Sequence, residues 1–131
     1  KTVSDVQIKT ALAGASRSIY YGVTRVEETG LGSAAEQENR NLLLSNQAKA
    51  DSDPVLEILT NDVIRCGHGA TVGPVDQEAL FYLQSRGLDR RQAFTLLVAG
   101  FFNSVLAGIG DEALTDEVTA KVEQKLVAAR I

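Results

Sequence analysis

The feature that most constrains this chain is a change of pattern at Pro74. Before it, apolar residues come in short clusters separated by Gly, Asn, Asp and Ser. Val6 and Ile8 alternate with polar neighbours, and Val23 to Val26 do so less strictly. Leu42-Leu43-Leu44, Leu56-Glu57-Ile58 and Val63-Ile64 follow. Each cluster suits a short strand and each polar break a turn. Ser33 to Arg40 is the least strand-like stretch and reads as a loop. So many short strands and so few helical signals exclude a doubly wound fold. A sandwich and a parallel solenoid both stay open, because no repeat period can be counted along the chain.

After Pro74 the pattern is helical. Asp76 can cap a helix carrying Ala79, Leu80, Tyr82 and Leu83, with Gly87 at the C-terminal cap position. Asp89 can start a second helix, from Arg90 to about Ala107. Its apolar residues cover most of its circumference, which demands cover on nearly all sides. Gly108 and Gly110 end it. Thr115 can cap a third helix, where Leu114, Val118, Val122 and Leu126 form one stripe. Asp116 and Glu117 near its start, and Lys125 and Arg130 near its end, suit the helix dipole.

At 131 residues, with 44% hydrophobic and 23% charged residues, the chain can bury a core. A net charge of -4 leaves no basic footprint for nucleic acid. The longest apolar run, Leu96 to Phe102, is too short to cross a bilayer. The chain opens at Lys1 and holds no methionine, which reads as a piece of a longer protein.

Cys66 and His68 are the single cysteine and the single histidine. A lone thiol suits a reducing cytoplasm. Their i, i+2 spacing puts both side chains on one face of a strand. Thiolate and imidazole are sound iron ligands, but two donors do not make a cluster site. A buried cysteine that merely fills core volume is the competing account of Cys66. A Cys66 nucleophile would need an orienting third group, and Asp62 stands about 13 Å away along a strand. Gly67, Gly69 and Gly73 do not have phosphate-loop spacing and read as turn and close-packing positions. Glu27-Glu28, Asp51, Asp53 and Asp62 read as solvated turns. In the first helix Phe81 and Leu83 read as core, while Arg86 suits the helix C-terminus.

Three segments, taken in order and spacing, resemble the C-terminal half of the SufB/SufD family of iron–sulfur cluster assembly proteins. They are Gln37-Glu38-Asn39-Arg40-Asn41-Leu42-Leu43-Leu44-Ser45; Pro54 to Ile58 through Asn61-Asp62-Val63 to Cys66-Gly67-His68-Gly69-Ala70-Thr71-Val72-Gly73; and Leu80-Phe81-Tyr82-Leu83-Gln84-Ser85-Arg86-Gly87. The resemblance implies a right-handed parallel β-helix over residues 1–74, followed by a helical domain over residues 75–131. The B branch of the family has a cysteine before the apolar run and a His-Glu pair before Ala-Thr. Here those positions read Asn39 and His68-Gly69, which favours the D branch.

The D-type resemblance further implies a non-catalytic scaffold in the cytoplasm. It would pair with a SufB-type subunit and recruit the SufC ATPase through the helical domain, with Phe81, Tyr82, Arg86, Phe101 and Phe102 as candidate contacts. His68 and Cys66 would be candidate ligands of a transient cluster at the partner interface, with no cofactor stably held by the chain itself. ATP hydrolysis by SufC would open that interface. Without its partner, an open sheet edge favours a homodimer. The rival reading is a stand-alone β-solenoid enzyme or metal-binding protein.

Overall fold

In the computed structural model, which describes residues 1–129, five strands precede three helices. The strands are β1 (Val3–Leu12), β2 (Arg17–Val26), β3 (Ser33–Leu43), β4 (Lys49–Ile58) and β5 (Val63–Pro74). All pairing is parallel, and successive strands alternate between two sheets, β1-β3-β5 and β2-β4. Val3 stands beside Ala34, Arg17 beside Lys49 and Ala35 beside Cys66. The structure therefore repeats every thirty residues or so, a period that the sequence hides.

The pairing runs on past the strand ends. Leu44 N–H donates to the Leu12 carbonyl at 2.8 Å and Leu59 N–H to the Val26 carbonyl at 2.9 Å. Gly32 N–H donates to the Asp62 carbonyl at 2.8 Å. Turns thus stack as the strands do, which satisfies backbone groups that would otherwise be left open. Gly14 and Gly32 sit in these turns with φ near +60°, where a side chain would be strained.

Three sequence expectations are corrected here. Ser33–Arg40 is not a loop but most of β3, the middle strand of its sheet. Ser33, Ala35, Gln37, Asn39 and Asn41 alternate as its buried face. The period is that of a strand, but polar residues occupy the core positions, so a hydrophobic pattern does not reveal it. Asp51 and Asp53 are not in turns; they lie on the exposed face of β4, where Asp51 pairs with Arg17 of β2. Gly67, Gly69 and Gly73 are not in turns but inside β5, and none has a left-handed φ; the expected close packing holds at Gly67 alone.

The helices are α1 (Gln77–Ser85), α2 (Arg90–Leu106) and α3 (Glu112–Ala128). The Asp76 side chain accepts from Glu78 and Ala79 N–H at the start of α1, and Gly87 follows its end with φ near +100°. Asp89 and Gln92 form a reciprocal capping box on α2. Asp111, not Thr115, caps α3; the Thr115 hydroxyl donates back to the Asp111 carbonyl within the first turn. Arg130 lies outside the described residues.

Leu80, Ala93, Val98, Leu106 and Leu126 form the helical core. The α3 stripe closes on it through Leu126, while Leu114 stays exposed. Cover of α2 is incomplete, with Leu96 52% exposed. Helix α2 is tied to the sheet by Lys9 of β1, whose ammonium donates to the Phe101 carbonyl and the Ser104 hydroxyl and sits 4.8 Å from the Phe101 ring centroid. Among the described residues no helix is long and apolar enough to cross a membrane.

Candidate functional site

Strand β5 is the edge of its sheet, paired with β3 alone, so its other backbone edge is open. It carries both Cys66 and His68. Parallel register puts Cys66 beside Ala35 and His68 beside Gln37. Since partners in register share a face, Cys66 and His68 lie on the side that β3 buries. The opposing sheet ends at β4, so the shelter fades along β5. Cys66 is half-buried with a free thiol, and His68 is exposed.

The other face of β5 explains one glycine. Arg65 reaches across to Glu36 of β3 at 2.7 Å. A Cβ on Gly67 would sit 2.6 Å from Glu36 Oε2, so the bare Gly67 leaves room for this ion pair. Gly69 and Gly73 face open space, and nothing among the described residues requires them to be glycine.

Between the sheets lies a polar cluster that the sequence reading did not single out. Gln37 Nε2 donates to the Tyr20 hydroxyl at 2.6 Å. Asn41 Nδ2 donates to Asn39 Oδ1 at 2.6 Å and to Ser52 Oγ at 3.0 Å, and Ser52 Oγ in turn donates to Asn39 Oδ1. Asn39 is fully buried. The available signal was strict i, i+2 spacing of Gln37, Asn39 and Asn41, which a search for apolar alternation discards.

Among the described residues no group of three or more His, Cys, Asp and Glu side chains could hold a metal ion. The structure puts Cys66 and His68 on one strand face and brings no third such donor to them. Chemically the arrangement offers one sulfur and one nitrogen beside an open strand edge, two donors where a cluster usually takes four.

The candidate docking residues separate into two groups. Phe81 is 74% exposed and Tyr82 57% exposed on α1, and the Arg86 guanidinium lies 5.6 Å from the Tyr82 ring centroid. Phe81 is therefore not a core residue; Leu80 is the one that α1 buries. Phe101 and Phe102 are half-buried in α2, meet edge to face at 5.1 Å, and Phe101 is engaged by Lys9.

Residues 1–101 match the family model described as SUF system FeS cluster assembly, SufBD core domain. The chain belongs to the SufB/SufD family. The match runs through both sheets and α1 into α2. The chain is 35% identical over 118 residues to the iron-sulfur cluster assembly protein SufD of Escherichia coli, covering 90% of this chain and 28% of that protein. It is 37% identical over 130 residues to an iron-sulfur cluster assembly SufBD family protein of Mycobacterium tuberculosis, covering 94% and 33%. With SufD of Bacillus subtilis it shares 35% identity over 109 residues, covering 83% and 25%. The chain thus spans between a quarter and a third of the length of these SufB/SufD relatives. The D-type resemblance drawn from Asn39 and His68-Gly69 agrees with the two SufD relatives.

Proposed function

We propose that this chain belongs to a non-catalytic D-type scaffold subunit of iron–sulfur cluster assembly, in which β5 is the surface offered to a SufB-type partner. The observation that carries this is the exposed His68, the chain's one imidazole, on a strand with an open edge. An open edge seeks another strand, and two donors seek the rest of a ligand set. The nascent cluster is cargo, received by His68 with Cys66 beside it and completed by donors from the partner. In the partner's absence the same edge favours a second copy of the subunit. The two alternating parallel sheets are rungs of a right-handed parallel β-helix.

The exposed face of α1, with Phe81, Tyr82 and Arg86, is the docking surface for the SufC ATPase. Phe101, held by Lys9 of β1, and Phe102, packed edge to face on it, extend this surface onto α2. A lone unpaired thiol fits the reducing cytoplasm. The test is reconstitution of the full-length subunits with SufB and SufC. His68→Ala should strongly reduce iron and sulfide in the purified complex while subunit pairing and ATPase activity persist. Normal iron and sulfide in that variant would remove His68 from the site.

A further inference from the structure

We propose that Gln37 is the positioning residue for the His68 imidazole: its amide oxygen accepts the ring N–H and leaves the second ring nitrogen free for an incoming iron–sulfur cluster. The cluster half of this statement rests on the reading of His68 given above; the hydrogen bond does not.

Gln37 is 3% exposed, and its two amide atoms have different fates. Nε2 donates to the Tyr20 hydroxyl at 2.6 Å. Oε1 is buried and has no hydrogen-bond partner among the described residues. A buried acceptor left without a donor costs about 1–3 kcal/mol, so a nearby donor that can turn toward it will be drawn in. His68 is the residue beside Gln37 in the next strand. Adjacent strands are about 4.8 Å apart and register partners share a face, so the imidazole is the neighbouring side chain on that face with an N–H to offer.

The Tyr20–Gln37 contact is built into the backbone. A Cβ on Gly22 would land on the Tyr20 hydroxyl and on Gln37 Nε2. Gly22 lies in a strand interior, where glycine is disfavoured unless something approaches closely, and here the approaching group is this hydrogen-bonded pair. The chain therefore holds Gln37 from the opposite sheet through Nε2.

The chemistry asks for such a partner. A neutral imidazole binds metal through one nitrogen while the other carries the proton, and the acceptor of that N–H fixes both tautomer and ring direction. An exposed histidine without one samples both tautomers and many rotamers. Gln37 is neutral, so it orients the ring without adding charge to it.

The test uses the full-length subunit labelled with 13C,15N-histidine, with His68 assigned by difference against His68→Asn. The two imidazole 15N shifts of His68 should be widely separated, as for one dominant tautomer. In Gln37→Leu they should converge, the tautomer ratio falling about fivefold, the value of one hydrogen bond. Gln37→Glu, which keeps an acceptor, should restore the separation. Unchanged His68 shifts in a folded Gln37→Leu protein overturn the proposal, whatever its cluster content. In the reconstituted complex Gln37→Leu should also slow cluster assembly about tenfold. Converging shifts together with normal cluster content in His68→Ala keep the positioning role and remove the cluster role.

Discussion

Asn41 Nδ2 donates to Asn39 Oδ1 at 2.6 Å, so two amides are chained along the buried face of one strand. Ser52 from the opposite sheet bonds to both. Asn41→Ala leaves Asn39 Oδ1 with one donor fewer inside the core. It should lower stability by about 1–3 kcal/mol, read as a shift of the urea midpoint at constant slope. An unchanged midpoint would mean that the cluster contributes nothing to holding the sheets together.

Two glycines should respond in opposite directions. Gly22→Ala drives a methyl group into Tyr20 and Gln37 and should cost about 1–3 kcal/mol. Gly69→Ala meets nothing within 4 Å on an extended strand. It should stabilise the unpartnered subunit by about 0.4–1 kcal/mol by restricting the unfolded chain. Thermal melts of the two variants side by side decide this.

On α1 the neighbours Leu80 and Phe81 have opposite roles. Leu80 is 1% exposed, and Leu80→Ala should destabilise by about 2–5 kcal/mol. Phe81→Ala and Tyr82→Ala remove exposed rings and should stay within about 0.5 kcal/mol. If α1 is the ATPase docking surface, the latter pair should weaken capture of SufC in pull-down while leaving pairing with SufB intact. Equal capture by the double variant and the unaltered subunit would place docking elsewhere.

Cys66 and His68 share a strand face but not an environment. Cys66→Ser should impair cluster assembly less than His68→Ala, because a half-buried thiol is less available than an exposed imidazole. Iron and sulfide content of the two reconstituted complexes gives the order directly. A larger defect in Cys66→Ser would make the thiol the principal donor.

Lys9 links β1 to α2 and titrates accordingly. Burial, and then the neighbouring Arg40 guanidinium, lower its pKa from the usual 10.5, with Glu38 pulling the other way. The unfolded chain then binds more protons than the folded one just below pH 10.5, so Lys9 makes stability rise with pH across that window. Lys9→Met should flatten this rise in the difference between the two denaturation curves. It should also raise hydrogen exchange in the C-terminal half of α2, where Lys9 meets Phe101 and Ser104.

Much of this molecule follows from local chemistry. The change at Pro74, the aspartate caps at 76 and 89 and Gly87 after α1 can be read from neighbouring residues, because capping and turn formation involve groups only a few positions apart. Family membership was likewise legible in three ordered segments. What tertiary structure decided is whatever depends on residues some thirty positions apart standing side by side. Strand β3 became a strand because β1 and β5 flank it and β4 and β2 offer its amides partners, although Gln37, Asn39 and Asn41 give no apolar signal. Phe81 turned outward because Leu80 took the one buried position on α1. The pairing of Gln37 with His68 is of the same kind: register alone puts them side by side, and register is a property of the stacked sheets, not of either strand.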